Sequence, residues 1–279
     1  MKQGFVKVAS ATPRIRVADP VYNAQVICEQ AKEAAEHGAK IVVFPELCIT
    51  GYTCNDLFLQ ELLLEKAKEA LLTIAEETGQ LETLFLVGLP VDKDGRLYNV
   101  AAVLYRGRIL GMIPKKNIPM YAEFYEGRHF TPGEETVTEY RLGKQVIPFG
   151  SNLLFRCEEL PELILGCELC EDLWVAEPPS TSHALMGATV IANLSASNET
   201  VSKDDYRTLL IKASSARLLC GYIYTSAGEG ESTQDLVFGG HDLIAENGTL
   251  LVQSARFTTG ILYTDLDVLK ISSERRRMG

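Results

Sequence analysis

Polar and apolar residues alternate along Phe5-Val6-Lys7-Val8-Ala9, the period of a strand with one covered face. From Val21 to His37 the period changes to that of a helix. Ile27, Ala31, Ala34 and Ala35 share a face there, and Gly38 stands where a C-terminal cap falls. Ile41-Val42-Val43-Phe44 is a short continuous apolar run, the pattern of a strand covered on both sides. A long helical region is predicted over Leu57 to Thr78. Strand patterns then follow at Leu84 to Leu89, Tyr98 to Tyr105 and Arg108 to Ile113, joined by the turns Asp94-Gly95 and Arg106-Gly107. Leu163 to Leu169 and Thr189 to Leu194 read as buried strands. A helix is predicted from Lys203 to Cys220, with Tyr206, Leu209, Leu210, Ala213 and Ala216 as its packing face. Gly221 to Ser226 is a further strand, and Asn247-Gly248 between apolar runs is a hairpin signal.

Helices on either side of hairpin-linked strands imply mixed sheets with helices packed outside, an α/β fold in which two sheets face each other. No repeat, low-complexity stretch or linker breaks the pattern, so one domain over 1–279 is expected.

Composition narrows the function classes. Hydrophobic residues make up 46% and charged residues 23%, ordinary globular values. A net charge of −10 argues against binding nucleic acid, whose phosphates such a surface repels. The basic run Arg275-Arg276-Arg277 is expected to be a solvated tail. No signal-peptide pattern precedes Phe5, and no apolar run is long enough to span a bilayer. Seven cysteines, an odd number without regular spacing, give no disulfide framework, and a cytoplasmic location is expected.

Three segments place a reactive side chain at the mouth of a strand. Phe44-Pro45-Glu46-Leu47 ends an apolar run in a carboxylate. In apolar surroundings such a group has a raised pKa suited to a general base, whereas in water it merely caps the strand. In Pro114-Lys115-Lys116-Asn117-Ile118-Pro119 two prolines stiffen a loop around Lys115. That ammonium either stabilises an oxyanion or is one more surface lysine. In Gly166-Cys167-Glu168-Leu169-Cys170-Glu171-Asp172 the thiol of Cys170 ends a strand, and Glu171-Asp172 open the following helix. A thiol at a helix N-terminus is activated, while one sealed in apolar packing is inert. Cys167 and Cys170 superficially match a redox or zinc pair, but no second pair exists and residues three apart on a strand face opposite ways. His37, His129, His183 and His241 lie in no cysteine-protease signature. Gly239-Gly240-His241-Asp242 reads as a turn between strands.

The order Glu46, Lys115, Cys170, each after a strand, resembles the catalytic triad of the nitrilase superfamily of carbon-nitrogen hydrolases. The chain is most similar to the amidase part of the glutamine-dependent NAD synthetases. The likeness rests on Val43-Phe44-Pro45-Glu46-Leu47 with Thr50-Gly51-Tyr52, and on Pro114-Lys115 with Pro119-x-Tyr121-x-x-Phe124-Tyr125-Glu126. It rests also on Cys170-Glu171-Asp172-Leu173-Trp174, Asn193-Leu194-Ser195-Ala196-Ser197 and Ala227-Gly228-Glu229-Gly230-Glu231-Ser232-Thr233.

The resemblance implies a four-layer αββα sandwich that cleaves glutamine to glutamate and ammonia. Cys170 is then the nucleophile and Glu46 the proton carrier. Lys115, with the backbone N–H of Glu171, is the oxyanion holder, and Glu126 is a second carboxylate beside them. Tyr52, Tyr121, Glu171 and Ser197 correspond to glutamine-pocket positions. No metal and no cofactor is implied for this chain. ATP and magnesium belong to a synthetase domain, the implied partner, whose phosphate-loop motif does not occur here. A homo-oligomer is also implied. Two other readings stay open, an amidase for a different small ω-amide and an inactive docking or assembly module.

Overall fold

The computed structural model describes residues 1 and 3–278, so the expected bound at Gly279 lies outside the described residues. The first half of the chain runs β1 (Phe5–Thr12), α1 (Pro20–Glu36), β2 (Ile41–Val43), α2 (Glu61–Glu77), β3 (Leu84–Lys93), β4 (Arg96–Tyr105) and β5 (Arg108–Pro114). The second half runs β6 (Thr138–Leu142), β7 (Gln145–Phe149), β8 (Leu154–Arg156), β9 (Ile164–Leu169), α3 (Pro179–Leu185), β10 (Val190–Ser195), α4 (Lys203–Leu218), β11 (Gly221–Ser226), β12 (Leu243–Glu246), β13 (Thr249–Gln253), β14 (Gly260–Asp267) and α5 (Val268–Met278). They form an eight-stranded sheet in the order β14-β1-β2-β3-β4-β5-β7-β6 and a six-stranded sheet in the order β13-β12-β11-β10-β9-β8.

Strand alternation decides the layering. Val6, Val8, Val43, Leu86 and Val103 from one sheet meet Leu165, Leu169, Ala192, Leu194 and Ile223 from the other in a shared apolar layer. On the opposite face of that sheet Ala9, Ala11, Phe85 and Val87 turn outward onto Ile27, Ala31 and Ala34 of α1 and Leu71 and Ile74 of α2. On the far side Ile191, Tyr222 and Tyr224 pack with Ile211 and Leu218 of α4. Each sheet is therefore covered by helices outside and by the other sheet inside, the αββα sandwich expected above. Among the described residues, no helix is long and apolar enough to cross a membrane.

Three expectations need correction. The region Leu57 to Thr78 is not one helix. An irregular 3-10 segment, Tyr52–Leu59, is kinked at Asn55 (φ 49°), and extended Gln60 separates it from α2. The apolar run hid this break because Leu57, Leu59 and Leu62 are all exposed. In α4, Tyr206, Leu209, Ala213 and Ala216 face outward, while Arg207, Ile211, Ser214, Ser215 and Leu218 pack inward. Polarity misleads here because the inward polar groups are satisfied. Arg207 bonds Glu199, His241 and Asn198, and the Ser215 hydroxyl donates to Cys220 O. Finally, Arg275 is no solvated tail. It lies in α5, and its guanidinium donates to the carbonyls of Ala188, Leu218 and Leu219, the last two at the C-terminal end of α4.

The hairpin at Asn247-Gly248 has φ of 46° and 83°, the two left-handed residues of a tight turn between β12 and β13. Gly88 in β3 serves a different need. A methyl group there would lie 2.2 Å from Leu47 N and 2.6 Å from Pro45 O, so the turn after β2 rests directly on bare backbone. Gly88→Ala should lower stability by about 1–3 kcal/mol through overpacking. Denaturant unfolding of the variant against the parent measures this, and an unchanged midpoint would contradict it.

Candidate active site

The ends of β2, β5, β9 and β10 lie together, and each carries one element of the site. After β2, Phe44 N–H donates to Leu86 O and Ile49 N–H to Gly88 O, which hold the turn against β3. Between them Glu46 N–H donates to Ser195 O at 3.3 Å, a bond from one sheet to the last residue of β10 in the other. Leu47 takes φ 52° to complete the turn. Glu46 is thereby aimed into the interior and is fully buried.

Lys115 continues β5 beyond Pro114. Its N–H donates to Asn99 O (2.8 Å) and its carbonyl accepts from Gly133 N–H (2.7 Å), so the backbone is fixed on both sides. The side chain is fully buried, and its ammonium donates to Glu46 Oε1 at 2.7 Å and Glu126 Oε1 at 2.6 Å. Asn99 Nδ2 donates to Glu46 Oε1 (2.7 Å) and Glu126 Oε2 (3.3 Å), and the Tyr52 hydroxyl donates to Glu126 Oε1 (2.8 Å). Tyr52 is itself clamped by buried Glu231, whose oxygens accept from Tyr52 N–H (2.6 Å), Thr53 N–H (3.0 Å) and the Thr53 hydroxyl (2.6 Å). A carboxylate at the first turn of a helical segment completes orphaned N–H groups there. The result is a sealed unit in which Glu46 Oε2 has no partner among the described residues.

Cys170 follows β9 with φ 41°, opening a short 3-10 helix, Cys170–Leu173. Asp172 fixes that turn by accepting from Leu169 N–H (3.0 Å) and from the Asn117 backbone and side-chain amides (2.8 Å each). Thus the loop after Lys115 and the turn at Cys170 are tied together. Cys170 is 6% exposed. Burial pushes its thiol up, the Glu46 carboxylate pushes further, and Lys115 pulls the other way. Burial likewise raises the Glu46 carboxyl, against the Lys115 ammonium and with the help of Glu126. Burial thus favours the protonated form of both groups, and one oxygen of Glu46 is left without a partner among the described residues.

The remaining expected residues lie around this unit. Tyr52 and Glu126 line a pocket with Phe58, Glu123, Phe130 and Leu236. Tyr121, 54% exposed, donates its hydroxyl to both oxygens of half-exposed Glu171 at 3.0 Å. Ser197, after β10, is buried and receives an N–H from Arg207 at 3.3 Å. Among the described residues no group of three or more His, Cys, Asp and Glu side chains is placed to hold a metal ion.

The family model described as "Carbon-nitrogen hydrolase" matches residues 7–276. The chain belongs to the carbon-nitrogen hydrolase family. Within it, a glutamine-dependent NAD(+) synthetase of Mycobacterium tuberculosis is 43% identical over 280 residues, covering 100% of this chain and 41% of its own length. A counterpart from Thermotoga maritima is 32% identical, with 96% of this chain and 43% of its own length covered. This carbon-nitrogen hydrolase chain therefore spans about two fifths of the length of the curated relatives it matches. Among solved structures, a glutamine-dependent NAD(+) synthetase from Cytophaga hutchinsonii superposes with a TM-score of 0.85 at 28% identity, covering 94% of this chain and 43% of that one. An amidase from Nesterenkonia sp. shares the fold along 97% of its own length (TM-score 0.75, 20% identity).

Two members of the unit escaped the sequence. Asn99 carries a visible signal, a lone amide within the apolar strand Tyr98 to Tyr105. Glu231 lies in a run noted only for its likeness to relatives, and nothing in its spacing says that it holds Tyr52. Because Lys115 neutralises two buried carboxylates, Lys115→Ala should destabilise by about 3–5 kcal/mol, the penalty for breaking a buried ion pair. Lys115→Met combined with Glu46→Gln should recover part of that loss. Equal unfolding midpoints for Lys115→Ala and the parent would show that the carboxylates do not depend on the ammonium.

Proposed function

We propose that this chain hydrolyses the side-chain amide of glutamine to glutamate and ammonia through a Cys170 thioester. The observation that carries the reading is the buried convergence of Glu46, Lys115 and Cys170, with one Glu46 oxygen saturated by Lys115 and Asn99 and the other left without a partner. Cys170 passes its proton to that free oxygen as the sulfur attacks the amide carbon. The tetrahedral oxyanion is held by the Lys115 ammonium together with the Glu171 backbone N–H, an interaction of the kind whose removal costs about 10²–10³ in rate. Glu46 then protonates the departing ammonia and afterwards takes a proton from the water that cleaves the thioester. Glu126 and Tyr52 keep Lys115 in place, and Tyr52, Tyr121, Glu171 and Ser197 line the glutamine pocket.

We further propose that the ammonia serves NAD synthesis from nicotinic acid adenine dinucleotide, by a synthetase domain that uses ATP and magnesium. The names of the longer relatives support this, and this chain itself needs no cofactor for the amide cleavage. Neither an amidase for another ω-amide nor an inactive docking module has an observation of its own in its favour.

Glutamate and ammonia should form from L-glutamine, and Cys170→Ala should lower the rate by on the order of 10⁴–10⁶, as loss of a covalent nucleophile does. Activity that survives this substitution refutes the assignment. The pH profile adds a second check. Glu46 must be ionised to accept the thiol proton, so kcat/KM falls as pH drops through its raised pKa, above the ordinary glutamate value of about 4.3. Glu126 raises that pKa, so Glu126→Gln should move the acid limb to lower pH. A limb that stays in place or moves upward would contradict Glu46 as the proton acceptor.

A further inference from the structure

The Gly239-Gly240-His241-Asp242 segment ends in a buried carboxylate that the proposed chemistry does not use. Asp242 directly precedes β12 and is 2% exposed, yet among the described residues its oxygens meet only neutral groups. Thr12 Oγ1, at the end of β1, lies 3.0 and 2.9 Å from the two oxygens. Ser226 N–H, at the end of β11, donates to Asp242 Oδ1 at 2.9 Å, and Ser226 O lies 3.1 Å from the same Thr12 hydroxyl. Because β1 and β11 belong to different sheets, this cluster joins them across the apolar layer. The Thr225 hydroxyl continues the seam, 2.7 Å from Ser10 Oγ and donating to Val43 O at 3.1 Å.

The protons of the cluster can be counted. The Thr12 hydroxyl has one proton and three acceptors within reach, both Asp242 oxygens and Ser226 O. With Asp242 ionised, that proton turns to the carboxylate and Ser226 O loses it. With Asp242 protonated, its O–H donates to Thr12 Oγ1, the Thr12 O–H donates to Ser226 O, and Ser226 N–H donates to Asp242 Oδ1. The ring then closes with every group satisfied. Burial favours this form and pushes the Asp242 carboxyl up to about 7. Arg207 of α4 is the charge that pulls the other way, and it is paired with Glu199 at 2.8 Å. His241 is neutral at neutral pH, since burial and Arg207 lower its pKa to about 4. Asp204 and Arg256, which also act on His241, pair with each other at 3.2 Å. The other neighbours, Ser10, Thr12, Ser226 and Ser254, offer only hydroxyls and amides.

This ring bears on the reactive acid. Ser226 O and Ala227 N–H belong to one peptide unit and point opposite ways. Ala227 N–H donates to Ser195 O at 3.0 Å, and the same oxygen accepts from Glu46 N–H at 3.3 Å. We propose that Asp242 is a positioning residue, whose carboxyl proton closes a ring with Thr12 and Ser226 that, through the Ser226–Ala227 peptide and Ser195, sets Glu46 against Cys170. The role of Glu46 and Cys170 rests on the amidase reading; the protonated ring does not.

The test follows kcat on L-glutamine and denaturant unfolding from about pH 5 to about pH 9 for the parent, Asp242→Ala and Asp242→Asn. An asparagine keeps the ring, because its N–H donates to Thr12 as the carboxyl does, but it does not ionise. Asp242→Ala should lower kcat by about tenfold to a hundredfold, as misplacement of a reacting group does, and Asp242→Asn should restore it. If Asp242→Ala does not fold, Thr12→Val breaks the ring at its hydroxyl and takes its place. In the parent, kcat should fall as pH rises through about 7, and Asp242→Asn should remove that fall. Unfolding gives a readout free of catalysis. The folded carboxyl keeps its proton up to about 7 and the unfolded one loses it at about 3.9, so the parent should lose stability relative to Asp242→Asn as pH rises between them. A stability difference that is flat with pH, or an Asp242→Asn chain as slow as Asp242→Ala, overturns the ring. If Cys170→Ala still abolishes glutamate release in that case, the amidase reading stands without it. If the parent itself releases no glutamate, the amidase reading fails while unfolding still decides the ring.

Discussion

A single buried ammonium holds the centre of this protein together. Lys115 lies between Glu46 and Glu126, and without it two carboxylates would face each other out of water, an arrangement that neutralises by taking up a proton or drives the chain open. The surrounding bonds follow from that constraint. Asn99 bridges the two acids, Tyr52 fixes the outer one, and Glu231 fixes Tyr52. The chain of contacts runs from the Gly230-Glu231 loop to the end of β5, so segments far apart in sequence share one electrostatic fate.

Under the proposed chemistry the same interaction sets the roles of the acids. Glu46 spends one oxygen on Lys115 and Asn99 and keeps the other for the thiol, whereas both oxygens of Glu126 are occupied. Two carboxylates of equal intrinsic acidity are thus divided by their hydrogen bonds into one that holds and one that reacts.

Much of the fold was legible because it rests on alternation. The strands at Phe5, Ile41, Leu84, Tyr98, Gly221 and the Asn247-Gly248 hairpin fall where apolar period and turn chemistry place them. What escaped was governed by burial of polar groups. Arg207, Ser214 and Ser215 make the inner face of α4, and Arg275 caps its end, because hydrogen bonds rather than apolarity satisfy them. The hairpin of β6 and β7, the strand β14 and the helices α3 and α5 had no pattern strong enough to stand out from loop. For the site, Glu46, Lys115 and Cys170 were legible as strand-end residues and by likeness to a family. Asn99 and Glu231 were not, since what they do lies in hydrogen bonds to Glu46, Glu126 and Tyr52 across the fold, which no linear spacing encodes.

The bond from Glu46 N–H to Ser195 O crosses between the two sheets, and Glu46 and Cys170 ride on different ones. Their alignment is therefore a readout of how far one sheet has slid over the other. Under the proposed chemistry, an ångström of slip in the apolar layer between Val43 and Leu194 would misalign acid and sulfur while leaving every residue of the site chemically intact. Side chains buried well away from the pocket act in this way as spacers of a two-plate instrument, and the tolerance of the core is set by reaction geometry as much as by folding.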